Sequence, residues 1–113
     1  MELYPPNQTL VVKGVNSSCN VAELDPLLRG IAPDLVSVVV KEDLFPSSKV
    51  GYSKLAYLNF SSHEKAKHAS SQLQSINAGN LQGKYRHLID LENFQVFLKS
   101  TIQKDDFLPF FFW

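Results

Sequence analysis

The groups in this chain able to do acid–base, nucleophilic or metal chemistry are three histidines, one cysteine and eleven carboxylates, and their spacing gathers none of them into a site. His63 and His68 are five residues apart among Ser, Lys and Glu, off a common helix face, and His87 stands alone in an apolar run. No Cys pair or His/carboxylate cluster has metal-ligand spacing, and no Gly-rich phosphate loop occurs. Cys19, in a Ser/Asn turn, reads as a surface thiol. The expectation is a protein without enzymatic activity, metal or cofactor. The remaining chemistry is recognition: Tyr57 lies in an apolar run with Lys54 beside it, and Lys13, Lys41 and Lys49 occur in or near neighbouring runs.

The elements that must position Tyr57 follow from periodicity. Residues 9–15 (TLVVKGV), 35–41 (LVSVVVK) and 54–60 (KLAYLNF) are β-branched, aliphatic or aromatic runs bounded by Pro, Asn and Ser, and predict three strands. Leu24, Leu27, Leu28 and Ile31 have the spacing of one helix face. Two starts are open for that helix. Asn20 can cap it with Glu23 three residues on, but Pro26 would then sit inside the helix. With Asp25 as cap, Pro26 becomes the first helical residue, which fits proline better.

Ala66, Ala69 and Leu73, after a Ser61 or Ser62 cap, predict a second helix whose small residues allow close approach to a sheet. After a Gly/Asn connection, residues 85–91 (YRHLIDL) predict a fourth strand. Phe94, Phe97, Leu98 and Ile102 recur at helical spacing, so residues 92–104 predict a third helix. The order βαββαβ describes a ferredoxin-like two-layer α+β sandwich, an antiparallel sheet covered by helices on one face, with an additional C-terminal helix. The expected division is an extension over residues 1–7, the sandwich over 8–92, the helix over 93–105 and an apolar aromatic tail over 106–113.

Within that order, Leu10-Val11-Val12-Lys13-Gly14-Val15, the run 38–43 (VVVKED) and Ser53-Lys54-Leu55-Ala56-Tyr57-Leu58-Asn59-Phe60 resemble the first-strand hexapeptide, second strand and third-strand octapeptide of the RNA recognition motif (RRM) family. The resemblance covers about residues 8–92 and lies in the ensemble of short segments. It implies an RNA-binding module with an open sheet face. Period two then assigns the faces: Leu10, Val12, Val38, Val40, Ala56, Leu58 and Phe60 point to the helices, and Val11, Lys13, Ser37, Val39, Lys41, Ser53, Leu55, Tyr57 and Asn59 to the open side. The family stacks bases on aromatics at three open-face positions. Here these hold Val11, Leu55 and Tyr57, so the chain resembles a degenerate member with a single aromatic platform.

If each stacked base contributes ~1–3 kcal/mol, losing two removes roughly 2–6 kcal/mol, tens to tens of thousands of fold in affinity. Lys+Arg 11 against Asp+Glu 11 adds no long-range attraction for phosphates. The expected partner is short single-stranded RNA, bound weakly through Val11, Lys13, Lys41, Lys54, Leu55, Tyr57 and Asn59. The alternative is a protein partner docking on the aliphatic sheet face or on the first helix.

Composition is that of one globular domain, 113 residues at 44% hydrophobic and 19% charged. A lone cysteine, no secretory signal and no run near the ~20 apolar residues of a membrane helix predict an intracellular chain that does not meet a membrane. The N-x-Ser/Thr triplets at Asn7, Asn16 and Asn59 are therefore chance occurrences. Six of eight Phe and the only Trp fall in the last twenty residues. Phe94 and Phe97, as part of the third helix, are expected either to lie across the open face or to pack at the side of the domain, and are counted with the tail aromatics as candidate partner-binding residues. Phe110, Phe111 and Trp113 are left to bind a partner or a second copy of the chain.

Overall fold

Alternating side chains along a central strand bury both of its faces here. In the computed structural model, which describes residues 6–46, 49–77, 79–81 and 83–99, strand β1 (Thr9–Val15) is buried at every position except Lys13. It is followed by α1 (Val21–Ile31), β2 (Ser37–Glu42), β3 (Lys54–Asn59), α2 (His63–Gln74) and β4 (Gln95–Leu98), with short 3-10 turns at Pro6–Gln8 and Gly83–Tyr85. The sheet order is β2-β3-β1-β4, every pair antiparallel. This is the expected βαββαβ sandwich, with both helices on one face.

The core lies between sheet and helices. Leu10, Val12, Ala56, Leu58 and Phe60 from the sheet meet Leu24, Leu27 and Leu28 of α1 and Ala66, Ala69 and Leu73 of α2. Cys19 belongs to this core, only 3% exposed, so it is not a surface thiol. Burial, with the nearby Glu23 charge, pushes the thiol pKa up against the opposing influence of Lys54, which leaves little of the nucleophilic thiolate.

Helix α1 takes the first of its two possible starts. Asn20 Oδ1 accepts the Glu23 N–H at 3.0 Å and Glu23 Oε1 accepts the Asn20 N–H at 3.3 Å, a complete capping box. Pro26 therefore sits inside the helix. Ala22, whose carbonyl loses its partner to Pro26, is exposed, as is Pro26 itself, so water can solvate the freed carbonyl and the helix continues.

Two expectations near the C-terminal end are corrected. Residues 85–91 are not the fourth strand: they form turns with one bridge, Ile89 to Val15. Leu88 and Ile89 both turn into the core, held by backbone bonds from Leu88 N–H to Tyr85 O and from Asn16 N–H to Leu88 O and not by a strand ladder. Residues 92–99 are not helical, because Gln95–Leu98 is β4, paired with Leu10 to Lys13. Phe94, Val96 and Leu98 alternate and pack against the core. Over so short a window that alternation shares Phe94 and Leu98 with a helix pattern, and the free edge of β1 decides for the strand. The sheet thus extends past residue 92, while the rest of the expected helix and the tail, with Ile102, Phe110, Phe111 and Trp113, lie outside the described residues.

Gly14 makes the change of neighbour along β1 possible. It has φ +93° at the register shift between Lys13 and Val15, a conformation that side-chain-bearing residues rarely adopt. Beyond this bulge β1 meets Ile89 instead of β4, and Gly14 O accepts the Asp90 N–H at 2.8 Å.

Candidate nucleic-acid interface

The register of the four strands sorts the open face into rows. The central row is Val39, Tyr57, Val11 and Phe97 on β2, β3, β1 and β4. One row toward the β2–β3 loop come Lys41, Leu55, Lys13 and Gln95. On the other side lie Ser37, Asn59 and Thr9, continued by Lys99, whose N–H donates to Thr9 O at 2.9 Å. These rows carry three lysines and no carboxylate; Asp43 at their edge offsets Lys13, and Lys41 and Lys99 leave the open face of a neutral chain with a positive excess.

Tyr57 holds the centre, half-buried. Lys99 Nζ lies 4.9 Å and Lys41 Nζ 5.6 Å from its ring centre, both within the range of cation–π attraction. Sequence reasoning missed Lys99, because a helix over residues 92–104 gave it no place on the sheet. Alternation of Phe94, Val96 and Leu98, read as a strand, is the signal that finds it.

The other expected site residues divide. Val11 faces the open side but is only 2% exposed and stands outside the helix-side core; between Tyr57 and Phe97 it forms floor and offers no contact surface. Lys13 is fixed by an ion pair of 3.3 Å to Asp43 and a hydrogen bond of 3.1 Å from Nζ to Phe45 O. It pins the start of the β2–β3 loop to the sheet. Leu55 remains half-buried between Lys41 and Lys13. Asn59 accepts from Thr9 Oγ1 and donates to Ser37 Oγ, each at 2.9 Å, so its amide joins three strands.

Lys54 does not join this face. It shares the parity of Ala56 and Leu58, which are buried against the helices, and its Nζ lies 4.0 Å from Glu42. Lys49, over the Tyr52 ring at 5.1 Å, belongs to the loop. Phe94 packs against the core, whereas Phe97, opposite Val11, brings a second aromatic to the open face.

Asp90, also missed, organises the end of the sheet beside Gly14. It has no solvent exposure, and its carboxylate accepts the Lys49 N–H at 3.1 Å, the Glu92 N–H at 3.2 Å and an Asn93 Nδ2 hydrogen at 3.2 Å. Burial alone raises its pKa. The hydrogen bonds from Lys49, Asn93 and Glu92, with the Lys49 charge, outweigh burial and hold it below the usual carboxylate value. Among the described residues no group of His, Cys, Asp and Glu is placed to hold a metal ion, and no helix is long and apolar enough to cross a membrane. The His63 ring instead bonds Asn7 O at 2.7 Å.

No protein-family model and no curated protein matches this chain. Solved structures do. One structure of the Mip6 RRM3 domain superposes with a TM-score of 0.56 at 16% identity, over 84% of this chain and 95% of that one. A second Mip6 RRM3 structure gives a TM-score of 0.51 at 16% identity, over 82% and 94%. The chain therefore has the RRM fold.

Proposed function

From an RRM-like fold whose open face is positive and centred on an aromatic ring, we propose that this protein binds short single-stranded RNA weakly. The observation that carries the reading is the Tyr57 ring with Lys41 and Lys99 beside it, on strand rows that hold no carboxylate. A base stacks on Tyr57, and the two ammonium groups move from the ring to the phosphates on either side of that base. Lys13 stays with Asp43 and keeps the loop in place. Asn59 stays within its cross-strand hydrogen bonds and sets the height of the neighbouring row.

Stacking of one base at ~1–3 kcal/mol, with two lysine phosphate contacts of about 1 kcal/mol each, gives an affinity on the order of 10⁻⁴ to 10⁻² M. The test is a titration with ribo-oligonucleotides of several base compositions, followed by NMR. The amides of Tyr57, Lys41 and Lys99 should shift, and Tyr57→Ala should remove the response. No shift with any composition would sink the reading.

A second reading, a protein-binding module, is favoured by the β2–β3 loop, where Leu44, Phe45 and Val50 are 81%, 58% and 100% exposed. Apolar side chains that protrude from a loop anchored by Lys13 suit a protein surface better than a phosphate chain. RNA silence together with partner capture that depends on Leu44 would select it.

A further inference from the structure

We propose that Phe97 is a second base-stacking platform, so that the open face takes two bases of one RNA strand, splayed to either side of Val11. This rests on the RNA reading above and names the subsite it uses. Phe97 stands opposite Val11 in the β1–β4 register, and Tyr57 stands opposite Val11 in the β1–β3 register. The two aromatics therefore flank one aliphatic residue in a single row. Val11, at 2% exposure, has no surface to give a base, while its taller half-buried neighbours do.

The flanking strands of β1 lie two strand spacings apart, about 9.5 Å. Bases in a continuous stack repeat at about 3.4 Å. A base on Tyr57 and a base on Phe97 accordingly cannot stack on each other, and the strand must open between them with Val11 as the floor of the gap. The occupant is a nucleic-acid single strand because of charge: Lys99, two residues beyond Phe97 on the same face, reaches the Tyr57 ring and so stands where a phosphate between the two bases would pass. Phe97 is also free of any core duty that would explain it, since Phe94, Val96 and Leu98 pack against the core and Phe97 does not belong to it.

The experiment compares the full chain with Phe97→Leu, Tyr57→Leu and the double variant. Each is titrated with uridine and adenosine ribohexamers, and amide spectra in the absence of RNA establish that the fold is kept. Leucine preserves the apolar strand position and removes the π-face. Phe97→Leu should weaken binding about 5- to 150-fold, the Phe97 ring protons should move upfield in the wild-type complex, and the double variant should show the product of the two single losses. Wild-type affinity in Phe97→Leu, with loss in Tyr57→Leu, overturns the second platform and leaves the RNA reading standing. If the wild-type chain binds neither hexamer, both fall.

Discussion

Lys99 Nζ lies 4.9 Å from the centre of the Tyr57 ring, although the two residues stand in neighbouring rows on opposite sides of β1. The contact exists because the Lys99 N–H continues the β1 pairing at Thr9 O, which keeps the side chain on the open face after β4 ends. In the RNA reading this lysine changes from ring partner to phosphate partner. Lys99→Gln and Lys41→Gln should each weaken RNA binding across all base compositions and reduce the slope of log affinity against log salt by about 0.7, with the double variant near twice that. Affinities measured at three salt concentrations decide it, and slopes unchanged in both variants would show that neither ammonium meets a phosphate.

Asp90 joins the β2–β3 loop to the turn before β4 through the Lys49, Glu92 and Asn93 hydrogens. Asp90→Asn turns a donor group toward at least one of these donors and should cost about 1–3 kcal/mol of stability by chemical denaturation. Wild-type stability in that variant would mean that the carboxylate is not the hub.

The same residue sets an acid limit. Its folded-state pKa lies below the ordinary value, so the stability it contributes is present above the unfolded pKa of about 3.9 and is lost as pH falls through the folded value. Denaturation midpoints should drop from about pH 4 downward in the wild type, and less steeply in Asp90→Asn. Parallel curves for the two proteins would contradict this assignment.

Gly14 occupies φ +93° at the β1 bulge. Gly14→Val forces a branched residue into that backbone conformation and should destabilise by about 1–3 kcal/mol or more. Protection of the Asp90 amide, which donates to Gly14 O, should fall first in hydrogen exchange, since that bond depends on the bulge.

Helix α1 carries a favourable and an unfavourable residue side by side in its accounting. Asn20→Ala breaks the capping box and should cost about 0.5–2 kcal/mol. Pro26→Ala restores a hydrogen bond to Ala22 O on an exposed face and should stabilise by about 1–3 kcal/mol, the gain being reduced by the greater freedom of the unfolded chain. Thermal unfolding of the two variants should therefore move in opposite directions.

The layer architecture was legible in the sequence because its signals are local and repeated. The apolar runs TLVVKGV at 9–15 and KLAYLNF at 54–60, Leu24, Leu27 and Leu28 at helical spacing, and Ala66, Ala69 and Leu73 behind a Ser cap each specify an element, and the elements agree with one another. Tyr57 and Lys41 were legible for the same reason, since alternation on β2 and β3 places both on the open side. The start of α1 was not: proline preference and the Asn20 capping box compete, and the exposure of Ala22 and Pro26, a tertiary property, decides between them.

The end of the sheet was decided by tertiary structure alone. Phe94, Phe97 and Leu98 fit a helix face, and Phe94, Val96 and Leu98 fit a strand; four residues cannot separate the periods, but an unpaired edge of β1 requires hydrogen bonds that only a strand supplies. That single choice moves Phe97 and Lys99 onto the open face. It also changes the meaning of the charge balance. Composition determined that the whole chain is neutral, with 11 basic against 11 acidic residues; the pairing of strands determined that Lys13, Lys41 and Lys99 share one face on which Asp43, at Lys13, is the acid, because charge at a binding surface is set by which side chains a fold brings together and not by their sum.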